Sequence, residues 1–200
     1  MSVRIRNRLA GERGYSLVEL LTVVTILSVV VGALTTLFVG ASKGELDMNR
    51  RFQAQQNARL AMDKLRREVH CATSVALVGA SPSSGVTITI PGACPTAQGA
   101  TSIMWCVLPT PGGWSGQYAL YRSTAGTCTT ANGVKWADYL TSPSIFTYTA
   151  QSSLNLASLG LALSVRAKQS GTQGLFTLSD NIVLRNSSRT CITGSPSPPC

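Results

Sequence analysis

Histidine occurs once in this 200-residue chain, at His70, and no two cysteines have the C-x-x-C spacing. A zinc site built from His and Cys therefore has poor ligand spacing. Acids are scarce as well: 8 Asp and Glu stand against 17 Lys and Arg, and past residue 72 only Asp138 and Asp180 remain. There is no G-x-S-x-G segment and no Gly-rich phosphate loop. Nucleophilic, acid–base and phosphoryl-transfer chemistry lack their usual groups, so no catalytic residue, no metal site and no cofactor is expected. Aromatic residues make up 6% of the chain. Trp105, Trp114, Trp136 and the tyrosines could line a face for a base or a sugar, but their expected role is core and loop packing.

Charge is missing altogether from Leu20 to Val39, and proline is missing before Pro82. Twenty uncharged residues make about 30 Å of helix, the thickness of a bilayer's hydrocarbon core. Thirteen of the twenty are Leu, Ile, Val or Phe, worth about −4 to −8 kcal/mol gross on the insertion scale. A membrane span over about residues 17–39 follows. Before it, residues 1–14 carry Arg4, Arg6, Arg8 and Arg13 against a single acid, Glu12. Such a basic flank holds its side of a first span in the cytoplasm and places the C-terminal part outside. An ordinary secretory signal starts the same way, but its apolar region is shorter, free of acids and followed by its cleavage site. Here Glu19 stands at the start of the run and Gly14 precedes it. An acid at that depth is costly without a partner, unless it reaches the headgroups at the interface.

The stretch Arg13-Gly14-Tyr15-Ser16-Leu17-Val18-Glu19-Leu20, with its basic leader and apolar run, resembles the prepilin signal of type IV pilins and type II secretion pseudopilins. The resemblance implies cleavage by a prepilin peptidase between Gly14 and Tyr15, and N-methylation of Tyr15. It also implies an assembly role for Glu19, the fifth mature residue, facing the N-terminal amine of a neighbouring subunit. Phe is the usual first mature residue; Tyr15 keeps the aromatic character. Residues Gln53 to Val69 are similar to the helix of minor pilins of the PilW type and minor pseudopilins of the J type, and Val183-Leu184-Arg185-Asn186 is similar to their last strand.

After Val39 the helical pattern continues. Leu46, Phe52, Ala58, Ala61, Met62, Leu65, Val69 and Ala72 recur mostly at three- and four-residue steps and give one face to bury. Opposite lie Arg50, Arg51, Arg59, Lys64, Arg66 and Arg67, with Asp63–Arg67 and Lys64–Glu68 as solvated pairs worth tenths of a kcal/mol. The β-branched residues of the first half disfavour helix in water, but in lipid the backbone must bond to itself. One helix over residues 15–72 is predicted, with Gly32 and Gly40 as soft points and His70 as a polar cap on the terminal carbonyls.

From residue 73 to 190 the composition turns to Ser, Thr, Gly, Pro and short apolar runs. Strands are predicted over 86–90, 103–108, 117–122, 134–140, 145–149, 161–165 and 175–184, the last with a bulge at Asp180-Asn181. Pro109 to Gly116 is dense in turn residues. Short strands between turn signals give an antiparallel sheet, and an amphipathic helix and a one-faced sheet cover each other. The predicted fold class is α+β, a long N-terminal helix packed on an antiparallel sheet. Residues 191–200 read as a Ser/Pro-rich tail.

Six cysteines, Cys71, Cys94, Cys106, Cys128, Cys191 and Cys200, lie on the exported side, where disulfides persist. Six allow fifteen pairings, which sequence does not resolve; Cys191 with Cys200 is the local choice. Without residues 1–14 the chain keeps 13 basic and 7 acidic residues. These charges are dispersed and read as solvated helix faces rather than a nucleic-acid surface.

The functional expectation is a structural subunit of a type IV pilus-like filament, a minor one by the resemblance, anchored in the inner membrane before assembly. Its partners are the prepilin peptidase, other pilin or pseudopilin subunits, and lipid. The alternatives are a minor pseudopilin of a type II secretion system; a DNA-binding component of an uptake pilus, with Arg122, Lys135, Arg166, Lys168, Arg185 and Arg189 on phosphate; and a signal-anchored surface protein that keeps its leader.

Overall fold

A computed structural model describes residues 14–91, 94–95, 99–152, 155–167 and 175–186. Among these residues there is one helix, α1 (Leu17–Cys71), followed by eight strands. The chain forms two compact units, divided between Leu46 and Asp47.

In the first unit α1 runs through Gly32, Gly40 and Gly44 without interruption, so the expected soft points do not break it. Its apolar side chains, Leu17 to Val39, are all exposed, and the helix is long and apolar enough to cross a membrane. The hydroxyls within this run turn inward. Thr22 Oγ1 donates to the carbonyl of Glu19 at 2.9 Å and Thr25 to Thr22 at 2.8 Å; Ser28, Thr35 and Thr36 repeat the pattern at 2.8 Å. Each satisfies a proton that lipid would leave unpaired, which is how a helix rich in Ser and Thr tolerates hydrocarbon.

In the second unit α1 lies on a sheet. The strands are β1 (Ser74–Leu77), β2 (Gly85–Thr89), β3 (Ser102–Pro109), β4 (Tyr118–Ser123), β5 (Val134–Leu140), β6 (Phe146–Thr149), β7 (Ser158–Arg166) and β8 (Leu175–Val183). All pairings are antiparallel, in the order β1-β2-β3-β4-β5-β7-β6, with β8 also on β7. β8 runs the whole length of one edge of β7, while β6 and the end of β5 share the other. Ser83, just before β2, bridges to Phe146 of β6, its N–H donating to the Phe146 carbonyl at 2.8 Å. That bridge curls the sheet. The fold is α+β and pilin-like.

The core lies between this sheet and the helix residues Ala54, Ala58, Ala61, Met62, Leu65 and Val69. Small residues on the helix let it approach Ile88, Ile103, Trp105, Leu120 and Leu163 of the sheet. Leu46 and Phe52, expected on this face, are exposed. The stripe that packs passes through Ala54, Ala58, Ala61, Leu65 and Val69, and Phe52 lies off it. The sheet's other face is covered locally, where Cys106, Ala119 and Tyr121 pack with Leu108 and Cys128.

Several strand expectations are corrected. β1 is not expected from the sequence: four residues with one buried side chain, Val75, give little alternation to read. β7 begins earlier than expected, at Ser158. No bulge interrupts β8 at Asp180-Asn181, which pair in unbroken register with Leu161 and Gly160. Asp180 is accommodated because its carboxylate accepts from Arg66 Nη2 at 2.7 Å. The register shifts lie instead between β4 and β5, around Leu120.

Candidate functional site

The N-terminal segment comes first. Ser16 precedes α1 and its carbonyl takes the first helical bond, from the Leu20 N–H at 3.1 Å. Ser16 is thus the residue that caps the helix, and Glu19 falls in the first turn, where the exposed N–H groups favour a carboxylate. Tyr15, 82% exposed, lies just outside the helix. Gly14 is exposed too, and apart from its chain neighbours no described atom lies within 4 Å of where its side chain would be. Among the described residues the Glu19 carboxylate has no ion-pair or hydrogen-bond partner. Gly14, Tyr15 and Glu19 are thus all exposed at the start of α1.

A second cluster was missed from sequence. Glu68 is 0% exposed, inside the interface between α1 and the sheet. Its Oε2 accepts from Trp105 Nε1 at 2.7 Å, and its Oε1 from Arg122 Nε at 2.8 Å. Lys64 Nζ stands 3.3 Å from the same Oε1. Trp105 and Arg122 are direct partners in the β3–β4 ladder, so both reach the helix from one point on the sheet. The spacing carried the signal: Glu68 follows Leu65 by three residues and precedes Ala72 by four, which puts it on the buried stripe.

This corrects two expectations. Lys64–Glu68 is no solvated surface pair, because its acid is wholly buried. Arg122, 8% exposed, is bound to that acid and does not offer itself to phosphate. Of the other cations considered for nucleic acid, Lys135 pairs with Asp138 at 2.8 Å, Arg166 is half-buried and Arg185 is exposed. Lys168 and Arg189 lie outside the described residues. Asp63 meets Arg66 at 3.5 Å rather than the expected Arg67.

The end of the helix is fastened differently from expectation. The Nδ1 of His70 lies 3.0 Å from the carbonyl of Val183 in β8 instead of capping the helix's own carbonyls. That role falls to Asn186, whose Nδ2 donates to the Cys71 carbonyl at 3.0 Å. Cys71 is bridged to Cys94, and Cys106 of β3 is bridged to Cys128. Four of the six cysteines are thus paired; Cys191 and Cys200, with the bridge proposed between them, lie outside the described residues. No group of His, Cys, Asp and Glu that could hold a metal occurs among the described residues.

A third feature involves the aromatics. Trp105 is core and packs at 5.9 Å, tilted, against half-buried Trp136. Trp114, in the turn-rich loop after β3, stacks on Tyr139 at 5.7 Å. Asp138 ties that loop down: its Oδ1 accepts from Thr110 Oγ1, Gln117 Nε2 and the Tyr139 N–H, at 3.2, 3.1 and 2.7 Å. Burial would raise the Asp138 pKa. The hydrogen bonds from Lys135, Tyr139 and Gln117, with the Lys135 charge, outweigh it and hold the carboxyl below its ordinary value. The Lys135 ammonium is raised in turn, mainly by its hydrogen bond to Asp138.

No curated protein and no solved structure matches the chain. Residues 9–35 match the family model described as the prokaryotic N-terminal methylation motif, which spans Gly14, Tyr15, Glu19 and most of the apolar run and supports a type IV pilin-like or pseudopilin subunit.

Proposed function

We propose that this chain is a minor structural subunit of a type IV pilus-like filament. Its precursor sits in the inner membrane with residues 1–14 in the cytoplasm and the sheet outside. Prepilin peptidase cuts after Gly14, and the new N-terminus at Tyr15 is methylated. The subunit then packs its N-terminal helix among those of other pilin or pseudopilin subunits and leaves the bilayer within the filament. The observation that carries this reading is the exposed apolar helix, with Glu19 in its first turn unpartnered among the described residues, inside the methylation motif.

The chemistry links processing to assembly. In the precursor the nitrogen of Tyr15 is an amide and carries no charge. Cleavage creates an amine of pKa near 8, cationic at neutral pH. An ammonium and a carboxylate, each costly alone in lipid, are far less so as a pair. Glu19 of one subunit therefore guides the cut end of its neighbour into register, and assembly waits for processing. The minor copy number rests on the resemblance of residues 53–69 to minor pilins and minor pseudopilins.

One experiment tests both parts: quantitative proteomics of sheared filaments from cells carrying the natural chain or Glu19→Gln. The natural chain should appear at a small fraction of the dominant subunit. Glu19→Gln should be cut normally yet incorporated poorly, with Glu19→Asp milder. Normal incorporation of Glu19→Gln would sink the pairing mechanism, and dominance of the natural chain would sink the minor assignment.

A further inference from the structure

The second unit contains a recess that assembly through the N-terminal helix does not use. It has a volume of about 130 Å³ and lies between Gln53, Ala54 and Asn57 of α1 and residues 135–139 of β5. Tyr139, on its wall, has φ of 62°, the one non-glycine residue at positive φ among those described. That conformation is costly for a side chain of this size and persists where the surroundings over-determine it. Here they do. The Tyr139 N–H is held by Asp138, its ring is stacked on Trp114, and Asp138 also fixes both ends of the loop carrying Trp114. The wall is therefore set before any ligand arrives.

The lining defines what it accepts. Lys135 and Asp138 neutralise each other at 2.8 Å, so the recess offers no net charge to an ion. The side-chain amides of Gln53 and Asn57 are exposed and have no hydrogen-bond partner among the described residues. Each amide presents both donors and an acceptor, matching hydroxyl groups that both give and take a hydrogen bond. On the β5 side Trp136 and Tyr139 line the recess, and aromatic side chains of this kind can take up the C–H face of a sugar. At about 130 Å³ the open recess seats one face of a single ring rather than enclosing a ligand, and is too small for a nucleotide or a folded peptide. We infer that this recess is a binding site for a single neutral sugar ring, presented by the exported unit.

The test uses the full-length protein in a zwitterionic detergent without a sugar headgroup. Saturation-transfer NMR is run with the methyl glycosides of glucose, galactose and mannose and with N-acetylglucosamine. At least one should bind saturably, with Kd on the order of a millimolar for so few contacting atoms. Gln53→Ala and Asn57→Ala, both at exposed positions, should each weaken binding about three- to tenfold. Gln56→Ala, exposed on the same helix but outside the recess, should leave it unchanged. The inference is overturned if none of the four sugars binds, or if binding ignores both substitutions. It is equally overturned if adenosine binds there and the sugars do not, or if Asn57→Cys cross-links to a neighbouring subunit in filaments, because the recess then holds protein.

Discussion

Removing the carboxylate of Glu68 should be among the most damaging single changes to the second unit. The acid is fully buried and holds Trp105 and Arg122 on its two oxygens. In Glu68→Ala the Arg122 guanidinium stays buried with no counter-charge, and its Nη2 already lacks a partner among the described residues. Breaking a buried pair in this way costs about 3–5 kcal/mol. The stranded indole N–H of Trp105 adds to that, though not additively, against a typical total stability of about 5–15 kcal/mol. The melting temperature should fall on the order of 10 °C or more for a unit of this size. Arg122→Ala should cost less, because Lys64 remains 3.3 Å from the acid. The double substitution should cost clearly less than the sum, leaving a coupling of at least about 2 kcal/mol. Replacing the pair together by Leu and Met should remove most of the charge penalty but leave about 1–3 kcal/mol for the Trp105 indole N–H, which then lacks an acceptor. The assay is urea and thermal unfolding of the full-length protein in detergent, followed by near-UV circular dichroism and tryptophan fluorescence. If Glu68→Ala costs under about 1 kcal/mol, or the two single costs simply add, the buried pairing does not exist as described.

Two further outcomes follow from the same unit. Without reductant, Cys71, Cys94, Cys106 and Cys128 should resist alkylation; the bridges close separations of 23 and 22 residues, so losing either should cost about 3 kcal/mol, and a free thiol at any of the four would remove that bridge from the account. Because the Asp138 pKa is depressed, its contribution is present above the ordinary aspartate value of about 3.9 and is lost as pH falls through the lower folded value; Trp114 fluorescence should therefore hold steady from neutral pH down to about 4 and change only below it, whereas a transition near pH 6 would refute the clamp on its loop.

How far the sequence spoke depended on the length of each signal. The membrane-length run and the junction Gly14-Tyr15 with Glu19 are local patterns of composition, legible without any fold. The helix on an antiparallel sheet was legible too, because alternation over Val86 to Ile90 and the spacing from Ala58 to Val69 each repeat several times. β1 was not, since four residues carry too few alternations. The buried acid was misread for a different reason. Charge at Lys64 and Glu68 reads as a sign of solvent, although Glu68 sits on the apolar stripe; its partners lie 37 and 54 residues away in sequence. The His70 contact with Val183 spans 113 residues. Contacts at such separations depend on strand order, which local periodicity does not encode.

The central claim is that the chain is a processed prepilin, and the mature N-terminus tests it most directly. Mass spectrometry of the protein recovered from membranes and filaments should find the chain beginning at a methylated Tyr15, shorter than the precursor by Met1 to Gly14. A working form that retains Met1 to Gly14, with no methylated Tyr15 present, would contradict the account.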